Sequence, residues 1–200
     1  PQPSKKVGVL GAGLMGHGIA YVTAAAGMEV VITDKDQASA DKGKDRIGAI
    51  LKTQVERGSL TQEKANGILS QITATPDYSQ LTGCDLIIEA VSENRELKAS
   101  VTKAAEVAMD QAGVFASNTS TLPITGLAKA SIRPEKFIGL HFFSPVHKMQ
   151  LVEIIVGEKT DDATLAKAFD YVLAIGKVPI VVNDSRGFYT SRVFSTWSNE

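Results

Sequence analysis

The chain has 200 residues, 44% of them hydrophobic and 22% charged, with a net charge of −1. That is enough apolar material for one sizeable core, and the near-neutral balance gives no reason to expect nucleic-acid or membrane-surface partners. No apolar run reaches membrane-spanning length, and Cys84, the sole cysteine, excludes a disulfide framework within these residues and suits a reducing compartment.

Residues 5–34 read KKVGVLGAGLMGHGIAYVTAAAGMEVVITD. Val7, Val9 and Leu10 predict a strand, followed by the turn Gly11-Ala12-Gly13-Leu14-Met15-Gly16. A helix over 14–26 stops at Gly27, and a second strand over 30–33 ends at Asp34. Strand, glycine turn, helix, strand and acid in this order form a dinucleotide-binding unit. Gly11 permits the tight turn, Gly13 lets a pyrophosphate approach the backbone, and Gly16 brings helix and strand close together. The helix N-terminus offers free N–H groups to phosphates. Asp34 is placed to accept hydrogen bonds from ribose hydroxyls and would repel a 2′-phosphate, so NAD is favoured over NADP; the neighbouring Lys35 works against that preference.

A long helix is predicted over 37–57, with Ile47, Ile50, Leu51 and Val55 on one face, and a shorter one from Thr61. Lys44, Lys52 and Arg57 decorate the long helix, either as a solvated face or as a contact for a phosphate-bearing substrate. Strands are predicted over 72–75, 85–89, 114–117, 137–141, 151–156 and 178–182. Helices are predicted over 94–109 and 163–175, with a short one after Pro123. This alternation predicts an α/β fold: a doubly wound, mostly parallel Rossmann-type sheet with helices on both faces. Residues 1–185 are read as the NAD-binding domain and 186–200 as the start of a helical C-terminal domain, in a chain cut from a longer polypeptide. Cys84, just before an apolar strand, reads as a buried structural residue rather than a catalytic thiol.

Ligands of such a sheet lie beyond the carboxyl ends of the strands. Those ends carry the glycine turn, Asp34, Glu89 to Glu93, Ser117-Asn118-Thr119-Ser120 and His141. His141 is the best-placed general base, whereas His17 and His147 read as packing or solvent-facing residues. Glu153 interrupts the apolar run Leu151–Ile155 and needs a partner if buried. Two readings remain open from spacing: a partner for the His141 imidazole, or an edge carboxylate facing water. No metal is expected.

Ile88-Glu89-Ala90-Val91-Ser92-Glu93-Asn94, SNTSTLPI (117–124), GLHFFSPVHKMQLVEII (139–155) and VVNDSRGFYTSRVF (181–194) resemble the L-3-hydroxyacyl-CoA dehydrogenase family. The wording is most similar to the dehydrogenase part of multifunctional fatty-acid oxidation enzymes, and the resemblance runs along essentially the whole chain. It implies NAD-dependent oxidation of 3-hydroxyacyl-CoA to 3-oxoacyl-CoA, with His141 taking the hydroxyl proton, Glu153 orienting it and Ser120 bonding the reacting oxygen. It places Glu93 and Lys98 near the nicotinamide ribose and, more loosely, Lys52 and Arg57 near coenzyme A. The implied cofactor set is Gly11, Gly13, Leu14, Met15, Gly16, Asp34, Ala90, Val91, Glu93, Lys98, Asn118, Ser120 and Ser144. Substrate would meet Ser120, His141, Lys52 and Arg57.

Two residues depart from the family pattern. Ser191 stands where many relatives carry a catalytic Asn, and Ser144 where single-function members carry another; each serine keeps a donor. The resemblance further implies fusion to an enoyl-CoA hydratase domain, a homo-oligomer formed through the C-terminal domain, and a bacterial cytoplasm, with a mitochondrial or peroxisomal matrix as the alternative. A 3-hydroxyisobutyrate-type dehydrogenase is disfavoured because its base is lysine. A nucleotide-binding module with little turnover, of which a crystallin-like structural relative is a remote version, is the competing reading.

Overall fold

The computed structural model describes residues 3–185, 188–190 and 193. The elements are β1 (Lys6–Leu10), α1 (Leu14–Ala25), β2 (Glu29–Thr33), α2 (Gln37–Glu56), α3 (Gln62–Ser70), β3 (Ile72–Thr75), β4 (Leu86–Glu89) and α4 (Arg95–Ala108). Then come β5 (Val114–Ser117), the single-turn α5 (Ile124–Leu127), β6 (Phe137–Phe142), β7 (Leu151–Val156), α6 (Asp162–Ala174) and β8 (Val178–Asn183). All lie within a residue or two of the boundaries that periodicity predicts. Short 3₁₀ turns at Tyr78–Leu81, Ala128–Ala130 and Pro134–Lys136 have no such periodicity and were not foreseen.

Helix starts follow local chemistry. Asp36, Thr61, Asn94 and Asp161 each accept a backbone N–H from three residues on, at 2.7, 3.2, 2.9 and 2.7 Å. Each satisfies one of the orphan donors of a first helical turn, a contribution of about 1 kcal/mol.

The eight strands form one sheet in the order β3-β2-β1-β4-β5-β6-β7-β8. The first six are mutually parallel, β7 runs antiparallel to β6, and β8 runs parallel to β7. The strand order reverses between β1 and β4, which is the switch point where such sheets bind ligands. Alternate residues face opposite layers. Val9, Ile32, Ile88 and Ile154 pack with Ile19, Ile47 and Tyr171 of α1, α2 and α6. Leu10, Ile87, Phe115 and Ile155 pack with Ala105, Ile124 and Leu127 of α4 and α5. Full burial of each large aliphatic side chain contributes about 1.5–3 kcal/mol, so both layers anchor the sheet.

Candidate active site

The turn after β1 is built by contacts only glycine allows. Gly11 has φ +96°, and a Cβ on it would lie 2.8 Å from the Ala90 carbonyl oxygen. A Cβ on Gly16 would lie 1.7 Å from the Gly11 carbonyl oxygen, so α1 starts in direct backbone contact with the turn. Gly13 differs: a Cβ there would meet nothing within 4 Å of the protein, and its open side faces the cleft. Asp34 is aimed by two backbone donors, Ala12 N at 2.8 Å and Lys35 N at 2.7 Å.

Two cavities meet over this turn. One, of about 650 Å³, holds Asp34, Lys35, Pro76, Tyr78 and Leu97. The other, of about 470 Å³, holds Leu14, Met15, Glu93, Asn118, Ser120, His141, Phe143 and Ser144. Gly13, Ala90, Val91 and Ser92 line both, making one elongated cleft across the switch point. Its length, the backbone donors at its waist and the acid at one end fit a dinucleotide. Tyr78, Pro76 and Leu97 escaped sequence reading because they reach the cleft from a loop and a helix face without a motif.

At the other end of the cleft the antiparallel pairing of β6 and β7 sets His141 directly opposite Glu153. Opposed residues share a sheet face, and His141 Nδ1 lies 2.9 Å from Glu153 Oε1. The edge-strand alternative for Glu153 is thereby excluded: the residue is fully buried. Burial pushes its carboxyl up, but hydrogen bonds from Thr190 and His141, with the charge of His141, outweigh that and hold it below the usual glutamate range. The imidazole lies against Phe143, with ring centroids 4.5 Å apart. His141 is 7% exposed and lines the cavity, so one nitrogen is committed to the carboxylate and the other is available to a ligand.

A second buried network supports the same cavity. Glu89, at the end of β4, accepts Lys98 Nζ at 2.7 Å, Ser117 Oγ at 2.7 Å and Val91 N at 2.8 Å. Lys98 also donates to the Val91 carbonyl and lies 3.7 Å from Glu93. Glu93 in turn receives Thr119 Oγ1, Ser120 N and Thr121 Oγ1. Lys98 is 2% exposed, so its ammonium is spent on the 89–93 loop, and it holds the cavity wall from behind. Asn118 Oδ1 caps Phe142 N at 2.9 Å, joining the Ser120 loop to the His141 strand. Lys177 Nζ donates to the Val146 and Met149 carbonyls, fixing the loop that carries Phe143 and Ser144; burial lowers its pKa.

The remaining candidates lie elsewhere. Lys52, exposed, pairs with Glu56 at 3.9 Å, and Arg57 caps the exposed end of α2; neither lines the cleft. Ser191 lies outside the described residues. His17 Nδ1 donates to Gly13 O at 2.7 Å, and His147 packs edge-on against Tyr21. Cys84 is fully buried, and burial pushes its thiol up to about 12, so it is a packing residue. Among the described residues no cluster of metal-ligating side chains occurs.

A sheet of this order, with a dinucleotide-shaped cleft over its switch point, is a Rossmann-type NAD-binding domain. The chain belongs to the family described as 3-hydroxyacyl-CoA dehydrogenase, NAD binding domain, whose model matches residues 6–185. It is 50% identical over 189 residues to the fatty acid oxidation complex subunit alpha of Idiomarina loihiensis, covering 94% of this chain and 26% of that protein. The chain thus spans about a quarter of that relative's length. The crystal structure of (S)-3-hydroxybutyryl-CoA dehydrogenase from Ralstonia eutropha superposes with a TM-score of 0.95 at 37% identity, over 98% of this chain and 69% of that one. The dehydrogenase part of a multifunctional enzyme from C. elegans superposes at 0.84 and 28% identity, over 97% and 44%.

Proposed function

We propose that this chain carries the NAD-dependent oxidation of an L-3-hydroxyacyl-CoA to the 3-oxoacyl-CoA, a step of fatty-acid β-oxidation. The observation that carries the reading is the His141–Glu153 pair, buried at one end of an NAD-shaped cleft. His141 takes the proton of the 3-hydroxyl on its free nitrogen, and the C3 hydrogen departs with its electron pair. When bound, NAD supplies the acceptor for that pair. Glu153 stabilises the imidazolium formed in the step, and Ser120, in the same cavity, donates to the reacting oxygen. The apolar wall of Phe142 and Phe143 restricts water around the reacting atoms.

The cofactor residues assigned above that line the cleft would hold NAD, with Gly13 and α1 at the pyrophosphate and Asp34 at the adenosine ribose, while Lys98 supports the wall from behind rather than touching the cofactor. Lys52 and Arg57 would act only on the distal part of coenzyme A. We read residues 1–185 as the cofactor domain and 186–200, most of which lie outside the described residues, as belonging to a further, C-terminal domain. Fusion to an enoyl-CoA hydratase, assembly into a homo-oligomer and a bacterial cytoplasmic location complete the proposal. It is supported by the similarity to the fatty acid oxidation subunit; among the described residues no helix is long and apolar enough to cross a membrane.

The test is NADH oxidation with acetoacetyl-CoA by this chain and its His141→Gln variant. Turnover that falls by about 10²–10⁴-fold in the variant supports the reading. The coverage of only 26% of the relative favours a second reading, an NAD-binding module that needs further residues for catalysis. NADH binding without turnover would select it. Absence of NADH binding would overturn both.

A further inference from the structure

Past β8 the chain returns to the catalytic pair. Phe188 is fully buried in the α4-side core, and its ring centroid lies 5.9 Å from that of His141. It adopts φ +49°, a left-handed conformation disfavoured for a bulky residue, so packing over-determines its position. The next two residues turn three donors onto Glu153. Tyr189 N and Thr190 N each lie 3.2 Å from Oε2. Thr190 Oγ1 donates to Oε1, the oxygen that also receives His141 Nδ1.

A carboxylate has about four acceptor sites. All four on Glu153 are used, and Tyr189–Thr190 supply three of the donors. We propose that Thr190 is a positioning residue of the reaction: its hydroxyl and amide clamp the Glu153 carboxylate so that Oε1 stays aimed at His141. This rests on the dehydrogenase reading above.

Two consequences follow from the geometry. A free buried carboxylate could rotate away from the imidazole or take up a proton, and either would leave His141 without its partner. The clamp opposes both, since rotation would break three bonds and protonation would put a hydrogen where a donor already points. Among the described residues, the other charged group lining the cavity with His141 is Glu93, and Lys98 lies 3.7 Å from Glu93, behind the cavity wall. Phe143 and Phe188 add uncharged rings.

Thr190→Val keeps the branched shape and the amide but removes the hydroxyl, whereas Thr190→Ser keeps the hydroxyl. Two readouts separate clamping from packing: carbon NMR titration of the Glu153 carboxyl, and the pH profile of 3-hydroxyacyl-CoA oxidation. In Thr190→Val the carboxyl should titrate higher than in the parent. Oxidation should fall about threefold at about pH 5 and less than about twofold at about pH 8. Thr190→Ser should match the parent in both. Unchanged titration in Thr190→Val, or a Thr190→Ser variant that behaves like it, would overturn the proposal. Should the valine variant fail to fold, Thr190→Ala against Thr190→Ser makes the same comparison. The NMR arm needs no turnover, so it tests the clamp even if the dehydrogenase reading fails.

Discussion

Lys98 Nζ lies 2.7 Å from Glu89 Oε1, and neither side chain is more than 2% exposed. This pair sits beneath the loop 90–93, which lines both halves of the cleft. Removing one partner leaves an uncompensated buried charge, which costs about 3–5 kcal/mol. Glu89→Leu or Lys98→Met should each destabilise by about that amount in urea unfolding. The double variant should cost less than the sum of the two, because it leaves no orphan charge. Additive losses would mean that the two residues act independently.

The glycine turn allows fold and ligand to be separated. Gly16→Ala places a methyl 1.7 Å from a backbone oxygen, so the strand–helix junction must shift. A loss of about 1–3 kcal/mol or more is expected, together with loss of NADH binding. Gly13→Ala meets no protein atom within 4 Å, and stability should change by less than about 1 kcal/mol. In the proposed binding mode its methyl projects where the pyrophosphate approaches, so NADH affinity measured by fluorescence should still fall about tenfold or more. A Gly13→Ala protein that binds NADH normally would contradict the assigned binding mode.

In the proposed binding mode Asp34 governs the choice of cofactor. Its carboxylate is oriented by Ala12 N and Lys35 N and lines the larger cavity. Asp34→Asn keeps an acceptor for Ala12 N but removes the negative charge. The ratio of NADPH to NADH affinity should rise about tenfold. If the ratio is unchanged by titration calorimetry, discrimination lies elsewhere, and Lys35 is the next residue to vary.

Acid should weaken the fold through Glu153. Its folded carboxyl titrates below the unfolded one despite burial, because the bonds from Thr190 and His141 outweigh desolvation. Above the unfolded value, about 4.3, the resulting stabilisation is fully present. As pH falls below that value the unfolded chain binds more protons than the folded one, and the contribution is lost through the folded pKa. The capping carboxylates Asp36 and Asp161, and Asp77, which accepts Ser79 N at the start of the 3₁₀ turn Tyr78–Leu81, are lowered too and act in the same direction. Urea midpoints should decline only slightly from about pH 7 to 5, where burial lowers the pKa of His147, and fall steeply below. Glu153→Gln should start lower but decline less steeply; a parallel decline would remove Glu153 from the acid response.

The fold was legible in the amino-acid order wherever the cause is local. The strand–turn–helix from Lys6 to Ala25, the helix start at Thr61 and the acid Asp34 at the end of β2 all follow from neighbours within a few residues. Backbone sterics and hydrophobic periodicity act at that range, so each could be read before any folding. Glu89 carried a signal akin to that of Glu153, an acid in an apolar strand, closing β4 where Glu153 interrupts β7, and its partner Lys98 was nine residues on. Periodicity could not say that the lysine turns inward.

Pairing across the sheet had to wait for the tertiary structure. Spacing left Glu153 undecided between water and His141 because the eleven intervening residues do not dictate strand direction. The antiparallel register of β6 and β7 decides it, since one residue of slip would send the carboxylate to the other face. Thr190 was invisible for a stronger reason. Its hydroxyl matters only because chain 37 residues past Glu153 returns to the same oxygen. Contacts of that separation are selected by burial and hydrogen-bond satisfaction across the whole core, and no local pattern records them.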